Sequence, residues 1–133
     1  MAVVLDACAM IAYLRNEAGA DVVDAALADD SQTCLAHAIN VCEVYYDFLR
    51  VSDQTTAKAA VDDLLQAGLV IREDLDRALW QDIGHYKVQY RLSLADCVAL
   101  ALAQRLQASL VTSDHHEFDP LAAAGICSFT FIR

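Results

Sequence analysis

Short, continuously apolar runs alternate along this chain with longer stretches whose apolar residues recur every three or four positions. Residues 2–5, Ala-Val-Val-Leu, are apolar throughout and stop at Asp6, which predicts a buried strand. The runs at 33–36, 69–71, 109–112 and 129–132 read the same way. Between them, helical spacing predicts helices over 7–14, 19–30, 38–51, 53–67, 74–90, 93–107 and 120–124. Ser52 or Asp53 suits an N-cap, Gly68 a C-cap, and Ser93 the start of a helix. The middle of that last helix is apolar nearly all round, so it should be the most buried of them. Strands alternating with helices imply a parallel sheet covered on both faces.

Composition narrows the picture. A chain of 133 residues sets a prior of one domain, 1–133, and its 57% hydrophobic content is enough to fill a core. Only four Gly and one Pro disfavour a β-sandwich, which needs many tight turns. The N-terminus has no basic region and meets Asp6 at once, and no apolar run is long enough for a bilayer, so the expectation is a soluble cytoplasmic protein. Five cysteines without a C-x-x-C pair argue against both a disulfide framework and a zinc site. The formal charge of −10 argues against a broad basic face for nucleic acid. It does not exclude an enzyme that reaches a phosphodiester through bound metal.

In parallel sheets, ligands bind beyond the carboxyl ends of the strands. Asp6 directly follows the first strand, and Asp114 lies two residues past the fourth. Glu43 and Asp96 lie near the starts of two helices, among apolar neighbours. Ionised carboxylates in such settings need compensation, from a metal or a shared proton. Each acid also has a plainer role open to it. Asp6 can cap a helix, Asp96 can complete a capping box with Ser93, Glu43 can be a solvated helix residue and Asp114 a turn acid.

These segments resemble the PIN-domain ribonucleases and, within them, the VapC toxins of toxin–antitoxin pairs. The resemblance runs the length of the chain. It is carried by Val3-Val4-Leu5-Asp6-Ala7, by Asn40-Val41-Cys42-Glu43-Val44 and by Leu92-Ser93-Leu94-Ala95-Asp96-Cys97. Leu110-Val111-Thr112-Ser113-Asp114, with Phe118 and Gly125, completes it. It implies a three-layer α/β/α sandwich around a parallel sheet of about five strands. It implies that Asp6, Glu43, Asp96 and Asp114 bind Mg²⁺ or Mn²⁺ in an endoribonuclease that cuts by in-line attack of metal-activated water. Thr112 matches a family hydroxyl, and Asn40 belongs to the same segment as Glu43. Cys8 stands where the family usually has Ser, Thr or Asn, and a thiol is a poorer donor than a hydroxyl. His115 replaces a frequent basic residue and is expected to be mostly neutral near pH 7. The resemblance also implies a cognate antitoxin and a homodimer mate, received on apolar stripes such as Met10, Ile11, Tyr13 and Leu14 with Val44, Tyr45, Phe48 and Leu49.

Arg72, Arg77, Lys87 and Arg91 cluster with Tyr86 and Tyr90 and could grip RNA. Acids share that stretch, so a solvated helix face is the plainer account. Two other function classes stay open. A receiver-like phosphoacceptor would want an acid after the third strand and a lysine after the last parallel strand, and 69–71 is followed by Arg72 while no lysine follows Lys87. A degenerate PIN module that only binds or assembles is disfavoured by the presence of all four acids.

Overall fold

The first apolar run, Ala2–Leu5, forms strand β1 and lies at the centre of a five-stranded sheet in the computed structural model, which describes residues 1–133. The other strands are β2 (Thr33–His37), β3 (Val70–Arg72), β4 (Ser109–Thr112) and β5 (Phe129–Phe131). Their order is β3-β2-β1-β4-β5, and every pairing is parallel. The chain first builds outward from β1 through β2 to β3, then returns to β4 on the other side of β1. That reversal places a topological switch between β1 and β4, where parallel sheets open a crevice at their carboxyl ends.

Seven helices cover the two faces: α1 (Ala7–Leu14), α2 (Ala20–Ala28), α3 (Ala38–Val51), α4 (Gln54–Gln66), α5 (Arg77–Gln89), α6 (Leu94–Leu106) and α7 (His115–Ala123). The strand alternation divides the core accordingly. Val4 and Leu110 point to the face packed by α5, α6 and α7, while Leu5 and Val111 point to the face packed by α1 to α4. This is the α/β/α sandwich expected from the alternation of elements. Within α6, every residue from Cys97 to Ala103 is buried, so it is the central helix of its layer, as its apolar circumference implied. No helix is long and apolar enough to cross a membrane.

Two helix boundaries depart from the sequence expectation, each for a visible reason. The stretch from 74 does not enter α5 until Arg77. Asp74 is held by both forks of Arg72 at 2.8 and 2.7 Å, and Arg105 reaches across from α6 to Asp76. Those pairs fix an extended connection before the helix. At the other end of the chain, α7 begins at His115 rather than at Pro120. Asp114 caps it, accepting the Glu117 N–H at 3.0 Å, and Pro120 is carried inside the helix at the loss of one backbone bond.

Candidate active site

Asp6 leaves the carboxyl end of β1 and enters the first turn of α1. Its backbone N–H donates to Val111 on the neighbouring β4 at 3.2 Å, so the end of β1 is tied across the switch crevice. Oδ1 accepts the Ala9 N–H at 2.9 Å and caps α1. Oδ2 is buried and has no hydrogen-bond partner. On β4, the buried Thr112 hydroxyl accepts the Asp114 N–H at 3.0 Å, and Asp114 in turn caps α7. Asp96 lies in the first turn of α6, where its N–H donates to Ser93 Oγ at 3.1 Å. Asn40, fully buried on α3, donates to Glu43 Oε1 at 3.3 Å and to the Ala95 carbonyl at 3.1 Å. One amide thus ties the helix bearing Glu43 to the helix bearing Asp96.

The N-termini of α1, α6 and α7 therefore each hold one of the acids, and their dipoles favour negative charge there. Ser93→Ala is expected to cost about 1 kcal/mol through loss of this cap, measured as a lower urea midpoint with an unchanged slope.

The Cys8 thiol reports how the four acids are arranged. Although the residue is exposed at the surface, its pKa is pushed up to about 12, first by desolvation and then by the charges of Asp6, Asp114, Asp96 and Glu43. The charges of all four acids thus reach the start of α1. The thiol stays protonated and adds neither a fifth anion nor a nucleophile. Burial raises Asp6 to about 7, against the opposing help of Thr112 and Ala9, and Asp96 and Asp114 raise it further. Asp96 is raised to about 6, again mainly by burial, with Asp114, Glu43 and Glu117 adding repulsion. Burial also raises Glu43, against the hydrogen bond from Asn40.

Asp6, Glu43 and Asp96 are carboxyls whose ionisation burial opposes, and Asp6 Oδ2 and Asn40 Oδ1 are buried without partners, so the groups present are hard oxygen donors that lack positive charge. That chemistry fits Mg²⁺ or Mn²⁺. No three His, Cys, Asp or Glu side chains close to ligating distance of one another.

Glu117 was not singled out in the sequence, and the structure sets it beside the acids. Its backbone N–H reaches Asp114, and its charge is felt at Asp96. The signal available was its position three residues past Asp114, the spacing of a cap and its donor. His115, expected to be mostly neutral near pH 7, has partners that favour its charged form. Nδ1 faces Asp119 at 2.8 Å and Nε2 faces the Arg133 carbonyl at 2.7 Å. Two acceptors require two ring donors, so the imidazolium is favoured and the pKa is raised, with Asp119 the larger cause.

The four candidate RNA-gripping cations are separated. Arg72 is engaged by Asp74, and Arg77 lies one α5 length from Arg91. Lys87 donates to the Leu92 carbonyl at 2.6 Å, while Arg77 and Arg91 are exposed. Of the apolar stripes, Met10 and Val44 are core, and Ile11, Tyr13, Leu14, Tyr45 and Phe48 are half-buried. Leu49 is exposed on α3, as are Ile39, Tyr46 and Val51.

Several solved structures share this architecture. VapBC2 from Rickettsia felis, bound to a DNA fragment from their promoter, superposes with a TM-score of 0.79 at 15% identity, covering 98% of each chain. VapBC-1 from nontypeable Haemophilus influenzae gives 0.73 at 16% identity, over 99% of this chain and 98% of the other. The Mycobacterium tuberculosis toxin VapC20, described as cleaving the Sarcin-Ricin loop, gives 0.71 at 15% identity, over 92% and 95%. At these identities the likeness is one of fold. No curated protein matches the chain significantly. The PIN domain family model matches residues 3–123, and by that match, with a parallel sheet carrying acids at its switch point, the chain belongs to the PIN domain family.

Proposed function

We propose that this chain is a divalent-metal-dependent endoribonuclease, formed as one domain over residues 1–133, and the toxin of a type II toxin–antitoxin pair. One observation carries the proposal: Asp6 and Asp114 follow the carboxyl ends of β1 and β4 at the switch crevice, and the Asn40 amide ties Glu43 on α3 to the first turn of α6, which bears Asp96. These four residues would hold Mg²⁺ or Mn²⁺. When bound, the ion supplies positive charge that offsets their repulsion, acidifies a water and stabilises charge at the scissile phosphate.

The chain's own residues prepare that site. Asn40 orients Glu43 and fixes its distance from α6. Thr112 positions the Asp114 backbone and favours the ionised form of Asp6. Asp6 spends one oxygen on capping α1 and keeps the other free. Asp6 is raised to about 7 and Asp96 to about 6, so Asp6 keeps a share of its proton near neutral pH and Asp96 in mild acid, and an incoming cation displaces it.

The toxin role draws on the structural relatives, two of which are VapBC toxin–antitoxin structures. The partner would be a cognate antitoxin, and the exposed apolar residues of α3 offer surface for it or for a homodimer mate. The cytoplasm, where RNA and reduced cysteines coincide, is the matching compartment. One observation favours a PIN module that binds RNA without cutting it: no three ligand side chains converge.

Incubating the protein with RNA and Mg²⁺, with and without chelator, separates the two. Cleavage that chelator abolishes is expected, and sequencing the cut ends would name the substrate. Binding without cleavage at any metal concentration would leave the non-catalytic module.

A further inference from the structure

A cavity of about 410 Å³ opens between the end of α5 and α7, lined in part by Gln89, Tyr90, Arg91, His116 and Glu117. Its volume falls in the range of small-ligand sites, roughly 300–1,000 Å³. Its two walls are the segments that deliver two of the candidate acids. Residues 89–92 run directly into Ser93, whose hydroxyl takes the Asp96 N–H at 3.1 Å. Glu117, on the opposite wall, donates its backbone N–H to Asp114 at 3.0 Å. Each wall of the cavity is thus joined along the chain, within a few residues, to one of the candidate acids.

The chemistry of the lining is distinct from that of the acid cluster. Arg91 is exposed and forms no ion pair, unlike Arg15, Arg50, Arg72, Arg105 and Arg133. The Lys87 ammonium is held at the same loop by the Leu92 carbonyl. In a protein of net charge −10, Arg91 is thus an unpaired cation on the cavity wall. Tyr90 is half-buried and stacked on Tyr86 with ring centroids 6.2 Å apart, which fixes its plane. Gln89 and His116 add an amide and an imidazole, groups that read base edges.

A free cation for a phosphodiester, a fixed aromatic for a base and an amide for its edge are the elements of a nucleotide site. Glu117 is the one acid in the lining, and it lies on the α7 wall, across from the wall that carries Arg91.

We infer that this cavity takes one unstacked nucleotide of single-stranded RNA next to the scissile phosphate, with Arg91 on its phosphodiester. The inference rests on the ribonuclease proposal above. A base in a duplex is stacked and paired and would have to be extruded first, so single strands are the favoured substrate class.

Two measurements test it on the full chain: anisotropy of a fluorescent single-stranded RNA oligonucleotide in the presence of chelator, and cleavage kinetics of the same oligonucleotide with Mg²⁺. Arg91→Ala is expected to weaken binding and raise KM about tenfold, with kcat nearly unchanged. Gln89→Ala should act in the same direction and more weakly. Lys58→Ala removes an equal charge from the far side of the sheet and should change neither. Parental affinity and KM in Arg91→Ala would overturn the cavity assignment while leaving the ribonuclease intact. Equal losses in Lys58→Ala would overturn it too, since bulk charge would then explain both. If the parent binds RNA without cutting it and Arg91→Ala loses that binding, the cavity stands and the ribonuclease proposal fails.

Discussion

Asp6→Asn is expected to abolish Mg²⁺-dependent RNA cleavage and, in the same variant, to stabilise the metal-free protein above pH 7. The loss of activity follows from removing a charged group that the proposed function makes a metal ligand. It should exceed the roughly 10–100-fold that losing an outer-shell partner costs at a metal site. The gain in stability follows from burial. Asp6 is 2% exposed, and its carboxyl titrates at about 7 in the fold against 3.8 for an unperturbed aspartate.

The folded state therefore binds this proton more tightly than the unfolded state does. The stabilisation is complete below about pH 4 and is lost as pH rises through about 7, a difference on the order of 4 kcal/mol for a group displaced this far. Asparagine carries no charge to desolvate and still caps a helix, so the Ala9 bond survives. Thermal melts in chelator at pH 5 and pH 8 should show the variant gaining on the parent as pH rises. In the parent alone, Mg²⁺ should restore stability at pH 8. A variant that melts below the parent at pH 8, or that still cleaves RNA, would show that Asp6 is a structural cap and no more.

Gly19→Ala is the second large effect, and it lies far from the acids. Gly19 sits at φ +94°, in the left-handed region, as the N-cap of α2. A Cβ there would lie 2.7 Å from Ile132 Cγ1 and 2.7 Å from the Ile132 carbonyl oxygen. Strain and overpacking each cost roughly 1–3 kcal/mol. Neither neighbour can yield freely. Ile132 is buried, and its N–H is bonded to Thr112 at 3.0 Å, while the Arg133 guanidinium donates to the Ala18 carbonyl at 2.8 Å. The melting temperature should fall by roughly 10 °C or more. An unchanged melting temperature would mean that the β5 end moves aside, which its bond to the Thr112 carbonyl argues against.

Most of the fold was legible because the apolar runs are short, well bounded and separated by helical spacing. β1 and α6 illustrate this: a run that stops at Asp6, and a helix apolar all round. The start of α7 was not legible, because His115-His116-Glu117 is polar enough to pass for a turn, and the helix is set by two bonds to Asp114, from the Glu117 N–H to its side chain and from the Phe118 N–H to its carbonyl. Sequence considerations also set capping and site chemistry against each other for Asp6 and Asp96. In the fold the two coexist. Asp6 caps with one oxygen and leaves the other unpartnered, and Asp96 gives its backbone N–H to the Ser93 hydroxyl, which also favours its ionised carboxylate, while the charges of Asp114 and Glu43 still reach it. The charge state of His115 depends on the Arg133 carbonyl, eighteen residues away, and no local pattern announces that contact.

The sheet order has a consequence for how this protein comes into being on the ribosome. Leu5 is registered against Val111, so β1 lacks its neighbour on one side until nearly all of the chain has been made. At roughly 5–20 residues per second, Asp6, Glu43 and Asp96 exist for seconds before Asp114 does. Contacts this distant in sequence also form late in folding, after the loop-closure cost between them has been met. The acid cluster is therefore one of the last features to assemble, and a truncated or nascent chain ending before β4 carries three of the acids without the centre they belong to.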